Sequence, residues 1–393
     1  MNDMNISGRA AIVGLGATEF SKNSGRTELR LAMEATLAAL ADAGIDPKEV
    51  DGFSSYTMDK VPEYEIARLL GARNVNFFSQ VPHGGGAACA PVLHAAMAVA
   101  TGIAKTVVVY RAMNERSWYR FGSGDYNFGD KPFFDSVNYG WYMPYGFHTP
   151  AAWVGMFARR YMHAYGATSE DFGRVAVAVR DFAATNPAAF FYGKPITLED
   201  HQKSKWIADP LHLLDCCQES DGAVAMVITS SDRAKDLKAK PVYIKGAAQG
   251  MSEGQQSMTS FYRNDITNLP EMGHVANQLW KQSRLTPDDI QTAVLYDHFT
   301  PFVMTQLEEF GFCKRGEAKE FVRAGHHARG GRLPVNTHGG QLGEAYIHGM
   351  NGIAEGVRQV RGSSVNQVSN VHNVVVTAGT GVPTSGLILG DRA

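Results

Sequence analysis

The chain has 393 residues, of which 44% are hydrophobic and 19% are charged, and its formal net charge is −2. This length exceeds what one small hydrophobic core supports, so two units or one large double domain are expected. The near-zero charge argues against nucleic acid as the main partner.

The sequence carries no signal for a membrane or for the secretory pathway. Residues Met1–Gly8 lack the apolar core of a signal peptide, and no apolar run approaches the ~20 residues that span a bilayer. The four cysteines (Cys89, Cys216, Cys217 and Cys313) form neither a Cys-x-x-Cys pair nor a zinc-binding spacing. We therefore expect a cytoplasmic protein with reduced thiols and no metal site.

The first half of the chain alternates predicted strands and helices, which is typical of an α/β fold. The predicted elements are a strand at Ala10–Gly16, a helix at Glu28–Ala43 ended by Gly44, a strand at Gly52–Tyr56, a helix at Ala95–Gly102 and strands at Thr106–Tyr110 and Ala223–Ile228. A glycine turn, His83–Gly86, precedes the second of these helices.

Cys89 lies just after this glycine turn, near the start of the helix. Two interpretations remain open. The helix dipole could lower the pKa of the thiol and activate it as a nucleophile. Alternatively, Cys89 is a small buried core residue.

The segment Trp118–Trp153 is rich in aromatic residues, glycine and proline and shows no strand or helix periodicity. We expect it to form inserted loops that either line a pocket for a large apolar ligand or bury themselves in an interface. Helices are predicted to follow it at Met156–Tyr165 and Ser169–Thr185.

The chain repeats itself. Gly44-Ile-Asp-Pro-Lys-Glu-Val-Asp and Arg284-Leu-Thr-Pro-Asp-Asp-Ile-Gln share a pattern, and His83-Gly-Gly recurs as His338-Gly-Gly. Two α/β halves of similar topology are implied, residues 1–240 with an inserted loop region at about 115–208, and residues 241–393. Their junction is a natural site for a ligand.

A second group of chemically active residues follows the glycine turn at Gly339-Gly340. A helix is predicted from Glu344 to Val360, which would place Tyr346 and His348 near its N-terminus. The helix dipole would favour negative charge there. Both residues could also be packed polar side chains with ordinary hydrogen bonds.

Four segments together resemble the thiolase superfamily, in particular its sterol-carrier and lipid-transfer branch, and the resemblance covers nearly the whole chain. These segments are Pro210-Leu with Asp221-Gly-Ala, Tyr296-Asp-His-Phe, Gly339-Gly-Gln-Leu-Gly-Glu-Ala-Tyr-Ile-His-Gly and Thr377-Ala-Gly-Thr-Gly. The resemblance implies a five-layered αβαβα fold, a homodimer and an acyl-CoA thioester substrate.

This chain departs from the thiolases at the residues that carry their chemistry. Tyr346 stands where the family has a catalytic histidine, Thr377 replaces the acid/base cysteine, and Tyr296 replaces an oxyanion-hole asparagine or histidine. Cys89 lies near the position of the nucleophilic cysteine, but Ala90-Pro91-Val92 breaks the family pattern that follows it. Acyl transfer needs a thiolate and its bases together, so thiolase activity is not expected.

The paired tyrosines, Tyr296 and Tyr346, resemble those of the steroid side-chain-cleaving aldolases. This resemblance implies retro-aldol cleavage of a 17-hydroxy steroid acyl-CoA to a 17-ketosteroid and propionyl-CoA. It also implies a complex with the OB-fold, zinc-binding domain of a steroid enoyl-CoA hydratase. Candidate supporting residues are Asp297, His298, His338, Glu344 and His348. The motifs call for no metal, no Schiff-base lysine and no cofactor beyond the coenzyme A on the substrate.

Two alternatives from other classes stay open at the level of sequence. One is a thiolase-type acyltransferase that uses Cys89, and the other is a non-catalytic lipid- or acyl-CoA-binding module.

Overall fold

A computed structural model describes residues 6–56, 59–118, 120, 140–256, 258 and 260–393. Its strands are β1 (Ala10–Ala17), β2 (Gly52–Tyr56), β3 (Phe77–Val81), β4 (Val107–Asn114), β5 (Trp206–Ala208), β6 (Leu211–His212), β7 (Asp221–Ser230), β8 (Val242–Gly250), β9 (Thr292–Val294), β10 (Asn373–Thr377) and β11 (Thr384–Gly390).

The α-helices with bounds in the described ranges accompany these strands. They are α1 (Glu28–Ala43), α2 (Glu63–Leu70), α3 (Ala90–Ala100), α4 (Pro150–Tyr165), α5 (Ser169–Thr185), α6 (Leu198–Lys203), α7 (Ser231–Ala234), α8 (Pro270–Ser283), α9 (Thr300–Glu309), α10 (Ala318–Arg323), α11 (Gly340–Gly343) and α12 (Met350–Arg361). Within the same ranges, no helix has both the length and the apolar character needed to cross a bilayer.

The two halves of the chain share one strand topology. The first half has the order β3-β2-β4-β7-β1 and the second has β9-β10-β11-β8. In each half, two parallel strands lead into an antiparallel pair. A parallel bridge between Ala293 and Val335 occupies the place of β3 in the second half. Antiparallel bonds between β1 and β8 join the halves.

Hydrophobic side chains lie on both faces of this sheet, because successive strand residues point to opposite sides. Val374 and Val376 of β10 pack in the central cluster, whereas Val375 packs in the outer cluster of the second half. Val108 of β4 likewise packs in the outer cluster of the first half. Helices α3 and α12 pack against strands of both halves and form the middle layer. Helix α1 packs on the outer face of the first half of the sheet and α8 on the outer face of the second half. The two halves of this nine-stranded sheet therefore alternate with three helical layers, which confirms the predicted αβαβα fold.

Local capping signals explain why some helices are predictable. Helix α1 begins after Thr27, whose side chain accepts a hydrogen bond from the Arg30 backbone, and it ends at Gly44 with a φ of 71°. Both ends agree with the sequence prediction. Helix α4 begins at Pro150, six residues before the predicted Met156, because Pro suits the first helical turn.

The prediction of a helix from Glu344 to Val360 is wrong at its start. The chain forms the short helix α11, leaves it at Glu344, and enters α12 only at Met350. His348 and Gly349 have φ values of 49° and 89°, in the left-handed region, and this interrupts the helix. Tyr346 therefore lies in the link between two helices and not in a first helical turn.

Most of the aromatic segment Trp118–Trp153 lies outside the described residues, so its predicted role stays a prediction. Of the described part, Trp118, Trp141 and Tyr145 are largely exposed and Trp153 is buried within α4. Phe147 packs edge-on against Phe261. Between residue 140 and residue 208 the chain forms helices α4, α5 and α6, so the predicted loop region at about 115–208 is largely helical in this part.

Candidate active site

Tyr296 is the second residue after β9, and so its side chain leaves the sheet at the carboxyl end of a parallel strand. Its backbone N–H donates to Oγ1 of Thr377, the last residue of the neighbouring β10, over 2.9 Å. Gln306 Oε1 accepts from the same N–H over 3.1 Å. Thr377 therefore anchors the backbone of Tyr296.

Tyr346 approaches Tyr296 from the link between α11 and α12. The Tyr296 hydroxyl donates to the Tyr346 hydroxyl over 3.1 Å, and the two rings meet edge to face with centroids 6.5 Å apart. Ser220 accepts from the Tyr346 backbone N–H over 3.1 Å. The two tyrosines, 50 residues apart in sequence, therefore form one hydrogen-bonded unit, which we call the tyrosine pair.

The first half of the chain makes room for this pair through its glycine turn. A Cβ atom on Gly85 would lie 1.9 Å from the Tyr296 hydroxyl, and a Cβ on Gly349 would lie 3.0 Å from the Tyr296 ring. Gly85 also accepts a backbone hydrogen bond from Gly379 over 2.9 Å. The candidate site therefore lies where the two halves join.

Burial controls the charge state of the tyrosine pair. It raises the pKa of both Tyr296 and Tyr346 well above the usual value near 10, and nearby Cys217 and Glu115 act in the same direction. Without substrate, both residues are neutral phenols. The expectation that a helix dipole favours a phenolate at Tyr346 is not met, since no helix starts there.

Two of the predicted histidines lie against the pair. The ring of His298 is 5.0 Å from that of Tyr296, and the ring of His348 is 5.1 Å from that of Tyr346. Burial lowers the pKa of His298 to about 3 and that of His348 well below its usual value, the latter with help from Arg111. Both imidazoles are therefore neutral and can act as hydrogen-bond donors to an oxyanion.

The remaining candidate polar residues form a second group, built around α11. Glu344 accepts from the side-chain amides of Asn351 (3.0 Å) and Asn186 (3.2 Å), and His338 Nε2 is 3.9 Å from its carboxylate. Asp297 accepts from the Gln341 backbone N–H over 2.8 Å. This group holds the link that carries Tyr346.

Burial raises the pKa of Glu344 to about 7 and that of Asp297 to about 6, and it lowers the pKa of His338 to about 3. These two carboxyl groups therefore titrate near neutral pH. His338 stays neutral at that pH.

Cys89 is wholly buried at the start of α3. Its sulfur lies 3.8 Å from the Val376 carbonyl oxygen, and burial raises the pKa of the thiol. A neutral thiol enclosed in the central cluster is a poor nucleophile. These features favour the interpretation of Cys89 as a core residue.

Sequence reasoning missed four residues around the pair, the buried Tyr56, Arg111 and Glu115 and the half-buried Cys217. Glu115 is 4% exposed, burial raises its pKa, and its Oε2 has no hydrogen-bond partner among the described residues. Arg111 could have been noticed as a charged residue in an otherwise apolar strand. The other three carry no such signal.

Among the described residues, no three His, Cys, Asp or Glu side chains are grouped in a way that could hold a metal ion.

Comparison with known proteins places these features in context. Residues 252–390 match the family model described as Thiolase C-terminal domain-like. The chain is 64% identical over 385 residues to the 17-hydroxy-3-oxo-4-pregnene-20-carboxyl-CoA lyase of Mycobacterium tuberculosis, covering 98% of this chain and 100% of that protein. It is also 64% identical over 388 residues to the steroid side-chain-cleaving aldolase of Thermomonospora curvata, covering 98% and 99%. The solved Ltp2-ChsH2(DUF35) aldolase superposes with a TM-score of 0.95 at 63% identity, over 99% of this chain and 100% of that one.

Proposed function

Because the chain belongs to the steroid side-chain-cleaving aldolases of the thiolase superfamily, we propose that it cleaves the bond between C17 and C20 of a 17-hydroxy steroid whose side chain is a CoA thioester. The relative from Mycobacterium tuberculosis is named for a 20-carboxyl-CoA substrate. Cleavage of that skeleton releases a 17-ketosteroid and propionyl-CoA. The coenzyme A arrives on the substrate, and the proposal includes no cofactor held by this chain.

The bond changes define what the site must do. A base removes the proton of the 17-hydroxyl group, the oxygen forms a carbonyl at C17, and the C17–C20 bond breaks. Its electron pair moves to C20 and is delocalised over the thioester as an enolate. A proton is then added at C20. The site therefore needs a proton acceptor, a proton donor and a stabiliser of the enolate oxygen.

The tyrosine pair supplies the first two groups in this proposal. Because both phenols are neutral at rest, the pair works as a relay: one hydroxyl takes the substrate proton as it passes its own proton to the other. The second hydroxyl gives its proton to C20, so both residues are neutral phenols again at the end of the reaction. The hydrogen bond of 3.1 Å between them favours this arrangement, because it stabilises whichever oxygen carries charge. The neutral histidines, His348 and His298, are the candidate donors to the enolate.

One observation carries the proposal: Tyr296 and Tyr346 form a buried, hydrogen-bonded pair where the two halves of the chain join. Thiolase-type acyl transfer is disfavoured because Cys89 is enclosed and its pKa is raised.

Product analysis of the purified chain with its partner tests the proposed reaction. On a 17-hydroxy steroid 20-carboxyl-CoA we expect equal amounts of 17-ketosteroid and propionyl-CoA. The matched substrate without the 17-hydroxyl group should give neither product. Cleavage of both substrates, or of neither, would contradict the proposal.

The assembly is part of the same proposal. We expect a homodimer in complex with the OB-fold, zinc-binding domain of a steroid enoyl-CoA hydratase, in the cytoplasm. Support comes from the similar solved aldolase, whose name includes ChsH2(DUF35). The edge strand β3, where Phe78 is 68% exposed, favours pairing between copies. Sedimentation should show a dimer, and Phe78→Lys should shift it to monomers. Val365→Lys, at an exposed residue of the other half, is the matched control.

A further inference from the structure

We propose that Arg111, with Asp59 as its counter-ion, is a positioning residue that holds His348 as a neutral imidazole with its proton on Nε2. This inference deepens the proposed function and rests on it for the role of His348. It concerns a contact that the sequence did not indicate, since Arg111 and His348 are 237 positions apart.

Arg111 and His348 are in direct contact. Arg111 extends from β4, its side chain is 1% exposed, and its Nη2 lies 3.1 Å from Nδ1 of His348. A guanidinium has five donors, no acceptor, and keeps its charge at all relevant pH values. Nδ1 of His348 must therefore accept the hydrogen bond. A neutral imidazole that accepts at Nδ1 carries its proton on Nε2.

The surrounding residues hold the side chains of Arg111 and His348 in place. Arg111 stacks over the Tyr56 ring, with 5.0 Å to the centroid, and the Tyr56 hydroxyl donates to the backbone carbonyl of His348 over 3.0 Å. Asp59 Oδ2 lies 3.7 Å from Arg111 Nη1 and accepts from the Ala112 backbone N–H over 3.0 Å. The imidazole and the guanidinium are therefore fixed relative to each other.

Burying the side chain of Arg111 costs free energy. Nε and Nη1 of Arg111 have no hydrogen-bond partner in the described part of the chain, and burial of unpaired donors is unfavourable. An arginine used only to stabilise this region would be expected to satisfy more of its donors. Among the described residues, the hydrogen bond that Arg111 makes goes to an imidazole that lies against Tyr346.

The tautomer of His348 bears on the proposed reaction. The groups that face His348 are Arg111, Tyr56, His298 and the tyrosine pair. Protonation would place a second cation 3.1 Å from Arg111, and so His348 remains a neutral donor across the working pH range. An N–H donor that does not lose or gain protons is suited to stabilising the enolate of the thioester.

Nitrogen-15 labelling of histidine in the complete complex tests the tautomer without relying on activity. His348→Gln assigns the resonances by difference. We expect Nδ1 of His348 to be unprotonated and Nε2 to be protonated from acid to alkaline pH. A protonated Nδ1 in the wild-type complex would overturn the proposal, whether or not the complex cleaves steroid.

Two substitutions at Arg111 connect the tautomer to turnover. Arg111→Lys keeps a cationic donor and should keep the tautomer and most of kcat. Arg111→Met should mix the tautomers and lower kcat, approaching the 10²–10³-fold typical of a lost oxyanion donor, with little change in KM. Arg180→Met, at another buried arginine, controls for the general loss of a buried charge. Where Arg111→Met melts early, the double variant Asp59→Asn/Arg111→Met removes the orphaned carboxylate and allows the same comparison.

The outcomes separate this inference from the proposed function. If the complex does not cleave the C17–C20 bond of the steroid acyl-CoA, the proposed function fails, and the nitrogen-15 spectrum still reports the tautomer of His348. If the complex cleaves the C17–C20 bond, and Arg111→Met retains wild-type kcat with an unchanged tautomer of His348, the proposed role of Arg111 is wrong. The aldolase proposal then stands.

Discussion

Tyr296 and Tyr346 illustrate how burial and hydrogen bonding oppose each other at a single pair of residues. Burial disfavours a phenolate, while the shared hydrogen bond stabilises one once it forms. A proton can therefore move within the pair during the reaction without a charged resting state. The pair is suited to proton transfer that is triggered by substrate binding.

The tyrosine pair gives the first prediction. Tyr296→Phe and Tyr346→Phe should each lower kcat by on the order of 10²–10⁴-fold, because a positioned acid or base is lost while the ring stays in place. Thermal melting and complex formation should change little. Near-wild-type turnover in both variants would exclude the tyrosine mechanism and direct attention to His298, His348 and Glu344.

Cys89 gives a second prediction at the same scale. Cys89→Ala should keep kcat within about twofold and lower stability by about 1 kcal/mol, as expected for a small deletion in a packed core. Steady-state kinetics and thermal melting would check both effects. An acyl-enzyme trapped at Cys89 and detected by mass spectrometry would be incompatible with this account.

Glu344 has a pKa raised to about 7 by burial, against 4.5 for an ordinary glutamate. A folded-state pKa above the unfolded one means that the folded chain binds the proton more tightly. The contribution of Glu344 to the free energy of unfolding is therefore fully present below about pH 4.5 and is lost as the pH rises through 7. The free energy of unfolding of Glu344→Gln, relative to that of wild type, should therefore be higher at pH 8 than at pH 5, by on the order of 2 kcal/mol.

Denaturant titration at both pH values measures this difference. The matched control is Glu199→Gln, which removes a carboxyl group at an exposed residue and should change stability little. If Glu344→Gln behaves like this control, folding does not raise the pKa of the Glu344 carboxyl group.

At the scale of elements, the glycine turn before α3 belongs to the first half of the chain and provides space for Tyr296 of the second half. Gly85→Ala places a Cβ against the Tyr296 hydroxyl, and Tyr296 is already enclosed by Gly349. We expect a loss of kcat at least as large as that of Tyr296→Phe, together with lower stability. The stability loss should be smaller in the Tyr296→Phe background, where the nearest atom is absent.

Activity and denaturant measurements on the single and double variants would check the role of Gly85. Gly155→Ala, on α4, is the control, since its Cβ would meet only ordinary contacts. Wild-type activity in Gly85→Ala would show that the turn does not constrain the pair.

The elements also explain what the sequence could and could not predict. Helix α1 was predictable because Thr27 and Gly44 are local signals at its two ends. The start of α12 was not, because a histidine in the left-handed region leaves no mark in hydrophobic periodicity. The motifs predicted both tyrosines, but their contact depends on how α11 packs on the end of β9. The Arg111–His348 contact depends on the whole fold.

At the scale of the whole molecule, duplication explains the location of the site. The two halves repeat one topology, and each brings a glycine turn and a helix, α3 or α12, to the middle layer. The first half supplies space at Gly85 and the arginine that contacts His348. The second half supplies the tyrosines. A fold used elsewhere for acyl transfer can in this way present different chemistry without a change of architecture.

The most direct test of the central claim is the reaction of the complete complex in deuterium oxide with a 17-hydroxy steroid 20-carboxyl-CoA. If C20 becomes an enolate that is protonated inside the site, the propionyl-CoA should carry one deuterium at C2, in one configuration, and no free coenzyme A should be consumed. Tyr296→Phe and Tyr346→Phe should slow the formation of this product. Propionyl-CoA without deuterium at C2, or turnover that depends on added coenzyme A, would contradict the account.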